Sequence, residues 1–302
     1  MNNPNEYRIT VPDKEQNWIE FLNDNRCHGI IPEKVIIDFS SACFQTPAHI
    51  TSLACLIEEY HMSKCRIEFV IPQNKIGTYL TNIRFKEYWN KGCDRNEHNA
   101  TLIDTTFGLW KVDREEMETY SRNAQNFYRD NFFNEYNLEI ISISLGEIFN
   151  NIYDHAESSV TGYVFSQYYP HKKELLTCVC DFGIGVPTAM NRYRIRSGKS
   201  PLSHNKALTE AFIMGVSSKS KPHNQGKGLD LLKGFVQGNE GKLSFLSNLA
   251  GYVITQNGEK SYNRNNNFPG TLIVIKLNTE NLPKFDQVQI SGLEEGYDPF
   301  FL

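Results

Sequence analysis

Apolar and polar positions alternate between two rhythms along the first third of the chain. Residues 34–39 (KVIIDF) form a short, nearly continuous apolar run rich in β-branched and aromatic side chains, the pattern of a buried strand. A turn-rich stretch containing Pro47 follows. Ile50, Leu53, Ala54, Ile57 and Tyr60 then recur at three- and four-residue spacing and predict an amphipathic helix over residues 48–60. Residues 65–71 (CRIEFVI) predict a second strand, stopped by Pro72, and residues 75–83 a short helix. Strand–helix–strand–helix order predicts an α/β unit, a sheet covered by helices. Residues 88–100 are polar and read as a loop or sheet edge. Residues 114–134 are charged, aromatic and free of Gly and Pro, which predicts a helix. A domain boundary is expected there, dividing the chain into 1–112 and 113–302.

The rest of the pattern predicts a mixed α/β (α+β) second domain. A long helix is expected over residues 138–155, with Ile141, Leu145, Ile148, Phe149 and Ile152 on its apolar face. Strands are expected at 159–167 and 175–180. A Ser/Lys/Asn-rich loop region is expected over 188–225, interrupted by a helix at 205–214, and a helix at 228–237 follows. Further strands are expected at 242–248, 251–256 and 271–277, with residues 257–270 as a polar, Asn-rich hairpin tip. No internal repeat is evident.

Composition narrows the class. The 302 residues are 40% hydrophobic and 22% charged, ordinary for a globular chain, and the formal net charge of −4 gives no global field favouring nucleic acid or anionic lipid. The longest apolar runs fall well short of the roughly 20 residues that span a bilayer, and the N-terminus is polar, without an apolar leader segment. The seven cysteines include no CxxC pair and no Cys/His cluster at zinc spacing. These features predict a reduced cytoplasmic protein without a structural metal.

Three short motifs carry candidate chemistry. On the long helix, Glu147 and Asn151 are four residues apart and share one face. A carboxylate there can polarise a water, and an amide oxygen can ligate a hard cation such as Mg²⁺; alone, the pair also suits a solvated helix face. After the strand LLTCVC comes Asp181-Phe-Gly183-Ile-Gly185, an acid at a strand end beside a glycine turn. The acid could accept a hydrogen bond from an exocyclic amine, or the stretch could be a plain turn. A protein-kinase DFG is a worse fit, because no HRD loop or VAIK lysine accompanies it. Finally, Gly226-Lys227-Gly228-Leu229 opens a helix, where unpaired amides and the helix dipole favour phosphate. It lacks the spacing of a Walker A loop.

Taken in order (a helix with ExxxN, a strand ending in DxGxG, a long polar loop, GxGL opening a helix, a late strand beginning Gly270-Thr271), residues 138–278 closely resemble the Bergerat ATP-binding fold of the gyrase, chaperone, histidine-kinase and MutL (GHKL) superfamily. The resemblance implies ATP and Mg²⁺ as ligands. It places Asn151 as the magnesium-binding asparagine of the N-box and Glu147 as the general base of the hydrolytic branch. Asp181 matches the acid that reads adenine, Gly183 and Gly185 the glycines beneath the nucleotide, and Gly226, Lys227, Gly228 and Leu229 the box that wraps the phosphates. Thr271 takes the place of a threonine that often supports the acid. Residues 188–225 would be the ATP lid, with Lys219 and Lys221 either phosphate partners or solvated loop charges.

Sensor histidine kinases usually carry Asn where this chain has Glu147, and they need a phospho-accepting histidine upstream; residues 99–146 contain none. Residues 30–90 resemble, less specifically, a STAS domain, the fold of anti-sigma-factor antagonists. Its phosphorylatable position corresponds to Gln45-Thr46-Pro47-Ala48, without the usual acid and glycine. Two functions stay open. One is an ATP-gated switch in a bacterial cytoplasmic regulator that hydrolyses ATP slowly and signals to a protein partner through its N-terminal domain. The other is an anti-sigma-like serine/threonine kinase or binding module acting on a STAS-type domain. Homodimers are common among relatives of this fold and are an open state here. No motif marks nucleic acid or a membrane as a partner.

Overall fold

The computed structural model describes residues 5–13, 17–29, 31–43, 45–90, 93–95, 101–112, 117–139, 141–143, 145–146, 148–149, 162–213 and 227–285. Strand β1 (Glu6–Thr10) leads through helix α1 (Trp18–Asp24) to β2 (Lys34–Asp38), and β2 leads through α2 (Pro47–Met62) to β3 (Arg66–Val70) and α3 (Lys75–Asn82). The three strands pair in parallel in the order β1-β2-β3, with Ile9 opposite Ile37 and Ile37 opposite Phe69. Parallel neighbours cannot be joined by tight hairpins, so each link carries a crossover helix. The expected strand–helix–strand order is present, and β1 and α1 precede it. Their sequences are too short and too mixed in polarity to register as periodic.

A second, wholly antiparallel sheet has the order β4-β5-β6-β8-β7, from β4 (Thr106–Lys111), β5 (Tyr163–Tyr169), β6 (Glu174–Asp181), β7 (Lys242–Thr255) and β8 (Gly258–Asn278). Helices α4 (Met117–Asn131), α5 (Val186–Arg196), α6 (His204–Ile213) and α7 (Lys227–Gly238) accompany it, and the described residues between 139 and 149 are helical. The protein is thus a mixed α/β chain with one parallel and one antiparallel sheet. β4 lies before residue 113 yet pairs with β5, so the second sheet reaches back across the division expected at 112/113.

Both faces of the five-stranded sheet are covered. Val164, Val179, Ile273 and Ile275 face a core shared with Leu145, Ile148, Phe149 and Leu232, whereas Tyr163, Phe165, Cys180 and Leu272 face the core that holds Leu53 and Ile57 of α2. This explains why β6 and the end of β8 are unbroken apolar runs rather than alternating ones. The apolar face expected on the long helix is buried at Ile141, Leu145, Ile148 and Phe149; Ile152 lies outside the described residues.

Helix α2 lies between the two sheets, against β3 on one side and β5 and β6 on the other. The sequence predicted one apolar stripe, but the helix is buried nearly all round, including Thr51, Ser52, Cys55 and Glu58. Thr51 and Ser52 are accommodated because their hydroxyls donate to the carbonyls of Pro47 and Ala48 at 3.0 and 2.7 Å. Among the described residues no helix is long and apolar enough to cross a membrane.

Three expectations change. The Asn-rich stretch 257–270 is strand rather than a hairpin tip: Ala250 to Thr255 pair with residues 258–263, and the turn is confined to residues 256–257. Backbone ladder bonds run the length of this arm while most of its polar side chains are exposed, so composition hides it. The expected strands 242–248 and 251–256 are one strand with register shifts around Asn248. The first part of the expected lid is helix α5, started by Pro187 in its first turn and anchored by buried Met190.

Candidate functional site

The centre of the site is the end of β6. Asp181 stands opposite Thr271 on β8, which in turn stands opposite Ser247 on β7, so three side chains line one row across adjacent strands. The chain then turns through residues 182–185 into α5. Asp181 is 2% exposed, and one of its carboxylate oxygens accepts from the Gly183 N–H at 2.7 Å. Among the described residues the carboxylate takes no other hydrogen bond. Burial pushes its pKa up to about 7, against a partial opposing pull from the Gly183 N–H.

Glycines make this row possible. Gly270 has φ +120°, and a Cβ there would meet the Asp181 carbonyl oxygen at 2.2 Å and the Gly183 nitrogen at 2.8 Å. Gly185 has φ +80°, and a Cβ there would meet the Asn248 side chain at 2.5 Å. The Asp181–Gly183 turn is therefore pressed between β8 and the β7 bend.

β7 also caps α5 from outside. As Gly185 offers no side chain, the Val186 N–H donates to Ser247 Oγ at 2.9 Å and the Thr188 N–H and Oγ–H donate to Asn248 Oδ1 at 3.3 and 3.0 Å. Asn248 Nδ2 donates to the Ile184 carbonyl at 3.1 Å. Ser247 Oγ donates to the Gly270 carbonyl at 2.8 Å, so in its 3.0 Å contact with Thr271 the threonine hydroxyl is the donor. Two conclusions follow. The first-turn amides of α5 are occupied and do not form an anion site. The Thr271 proton is directed to Ser247, not to Asp181, which leaves Asp181 able to accept a donor from outside.

Of the residues singled out by sequence, Asp181, Gly183, Gly185 and Thr271 meet around this turn. Lys227, Gly228 and Leu229 lie in the first turn of α7 as described. Glu147, Asn151, Gly226, Lys219 and Lys221 lie outside the described residues. Sequence reasoning missed Ser247 and Asn248. The available signal was the polar Ser-Asn pair interrupting an apolar run, with Asn among the few residues that tolerate the φ of +49° found at Asn248. Four of the seven cysteines, Cys55, Cys65, Cys178 and Cys180, are buried as small hydrophobes are, Cys43 is exposed, and all seven are free. Among the described residues no group of three or more His, Cys, Asp or Glu side chains could hold a metal.

Asp181 has a consequence for stability that needs no ligand. Its ordinary pKa is 3.8 and its folded value about 7, so the folded protein holds this proton more tightly than the unfolded chain. The resulting stabilisation is fully present below the ordinary value and is lost as pH rises through 7. Three decades in proton affinity correspond to about 4 kcal/mol as an upper scale. The stability difference between wild type and Asp181→Asn, from urea unfolding at pH 5 and pH 8, should therefore shrink or reverse as pH rises; a constant difference would contradict the buried carboxyl.

No family model matches the chain, and no curated protein matches it in sequence.

Proposed function

We propose that the chain is an ATP-binding regulatory protein whose site lies at the end of β6, of GHKL type, and which hydrolyses Mg-ATP slowly as a conformational switch. The observation that carries the reading is Asp181: a buried carboxylate with one short backbone partner, beside a glycine turn, with acceptor capacity left for an exocyclic amine. Leaving such a group unmatched is costly, and an adenine N–H donated to it satisfies that need. Two further features support the reading. A row of Asp181, Thr271 and Ser247 crosses three strands, and an antiparallel β-sheet layered against helices is the α/β arrangement that the resemblance implies for this half of the chain.

In this reading Asp181 orients the base and the Gly183–Gly185 backbone lies under it. Asn151 would hold Mg²⁺, and Gly226, Lys227, Gly228 and Leu229 would meet the phosphates. Mg-ATP supplies the phosphoanhydride, and Glu147 would draw a proton from the attacking water. Incubation with γ-labelled ATP, following free phosphate and protein-bound label together, tests this. The expected result is slow phosphate release in wild type and none in Glu147→Ala. Undiminished release from Glu147→Ala would remove the general-base role.

A second reading, a kinase acting on a STAS-type domain, is favoured by one observation. Thr46 is the half-exposed N-cap of α2, its Oγ accepting from the His49 N–H at 3.4 Å while His49 Nδ1 accepts from the Thr46 N–H at 3.1 Å. Label on the protein at Thr46, in place of free phosphate, would select this reading.

A further inference from the structure

We infer that Arg26, held by Glu59 of α2, is a positioning residue for the Asp181–Phe182–Gly183 turn and couples the layer of α1 and α2 to nucleotide affinity; this rests on the nucleotide reading above. Arg26 follows α1. Its Nε lies 2.8 Å from each carboxylate oxygen of Glu59, and its Nη2 also donates to Glu59. The Cys27 N–H donates to the same carboxylate at 3.2 Å, so the anion is held from two positions. The guanidinium carbon lies 4.6 Å from the centroid of the Phe182 ring. Phe182 is the residue between Asp181 and Gly183, and its ring meets Phe268 of β8 edge-on with centroids 6.4 Å apart.

The turn is thus fixed from three directions. Gly270 of β8 presses on its backbone, Phe268 packs against the ring of Phe182, and the Arg26 guanidinium covers that ring from the α1–α2 side. A second contact joins the same layers one residue earlier, where the Cys55 thiol of α2 donates to the Cys180 carbonyl at 3.2 Å. Asn23 of α1 adds a third, donating to the Asn267 carbonyl at 2.7 Å. A displacement of α1 against α2 therefore moves Arg26, and Arg26 moves the ring that sits inside the base-reading turn.

Arginine is the side chain this task requires. Its planar guanidinium can grip a carboxylate through two donors while one face lies on an aromatic ring; a lysine ammonium supplies charge without the plane. Coupling between two such sites is reciprocal, so nucleotide binding must tighten the α1–α2 layer by the factor by which that layer tightens nucleotide binding.

The test compares wild type with Arg26→Lys, which keeps a cation for Glu59, and with the double variant Arg26→Gln/Glu59→Gln, which removes both charges together and leaves no buried carboxylate unpaired. Dissociation constants for Mg-ATP and Mg-GTP are read by competition against a fluorescent nucleotide, and folding by thermal unfolding. Both variants should bind ATP about tenfold more weakly, within the usual range of coupling between sites, while GTP affinity hardly changes. A general loss of fold would weaken both nucleotides by one factor, so the ATP-to-GTP ratio separates positioning from damage. If Arg26→Lys does not fold, the double variant decides. An unchanged ratio with ATP-competent wild type overturns this inference alone; wild type that binds no nucleotide overturns the functional reading and this inference with it.

Discussion

Gly270→Ala should cost about 3 kcal/mol or more and remove the site with it, because strain and collision act on the same atoms. The backbone at Gly270 lies at φ +120°, where an L side chain is strained whatever the space around it. The added Cβ would also stand 2.2 Å from the Asp181 carbonyl oxygen and 2.7 Å from Phe182 Cα. Those are backbone atoms of a paired strand end, so no side chain can swing away to relieve the clash. β8 must part from β6 at the Asp181–Thr271 pair, which hydrates the carboxylate and returns its titration toward the ordinary range. Gly198→Ala is the control. Its φ is +72°, yet nothing lies within 4 Å of the added Cβ, so only the left-handed backbone cost of about 1–2 kcal/mol applies. Urea unfolding of both variants measures the difference; equal costs would show that the close approach at Gly270 carries no energy.

The second large effect is expected at Glu58, the fully buried carboxylate of α2. It is paired with Arg95, accepts from the Tyr163 hydroxyl at 2.7 Å and has the Lys111 ammonium at 3.4 Å. Burial alone would raise its pKa, but Arg95, the Tyr163 hydroxyl and Lys111 together hold it below the ordinary carboxylate value. Its contribution is therefore present above the ordinary value and is lost as pH falls through the lower folded one. Arg95→Met breaks the principal pair and should cost about 3–5 kcal/mol at neutral pH. The double variant Arg95→Met/Glu58→Gln should recover much of that loss, since the penalty comes from stranding one charge. The single variant should also invert the pH dependence, with a carboxyl that now prefers its proton making it relatively more stable in mild acid. Matching losses in the single and double variants, or an unaltered pH profile, would place the stability elsewhere.

This network also indicates what α2 does in the fold. Cys55 of this helix bonds directly to the end of β6, Glu58 bonds to Tyr163, the β5 residue paired with Cys180, and Glu59 holds Arg26 over Phe182. The first sheet layer is therefore built onto the back of the site and shares a hydrophobic core with it. A sequence divided at residue 112 treats the two parts as separable units, whereas their side chains interdigitate along α2.

What could be read from sequence was what periodicity and burial write into it. The strands at 34–39 and 65–71 and the helix between them are legible because their apolar positions are dense, and β6 and the end of β8 because both faces are covered. Asp181, Gly183 and Gly185 group because they follow one another at the end of β6, and Thr271 joins them through its register opposite Asp181 in the interior of β8. β1, α1 and β4 are short and of mixed polarity. The 258–267 arm is held chiefly by ladder bonds to β7, with Glu259 tied to Tyr252 and Lys233, and α5 is capped by two side chains sixty residues away on β7. Nothing local in the sequence marks Glu58, because its partners, Arg95, Lys111 and Tyr163, are distant in sequence. Arg26 gave no local signal for the same reason.

The most direct test of the central claim is equilibrium binding of Mg-ATP to wild type and Asp181→Asn at pH 6 and pH 8. Dividing each wild-type affinity by that of the variant cancels titration of the nucleotide's own phosphates. A carboxylate with a pKa of about 7 goes from mostly protonated to mostly ionised over this interval, so the ratio should rise about tenfold. At pH 8 the wild type should bind about 10–100-fold more tightly than Asp181→Asn, the value of one charge-assisted buried hydrogen bond. Absence of saturable ATP binding, or binding that Asp181→Asn leaves unchanged at both pH values, would contradict the account.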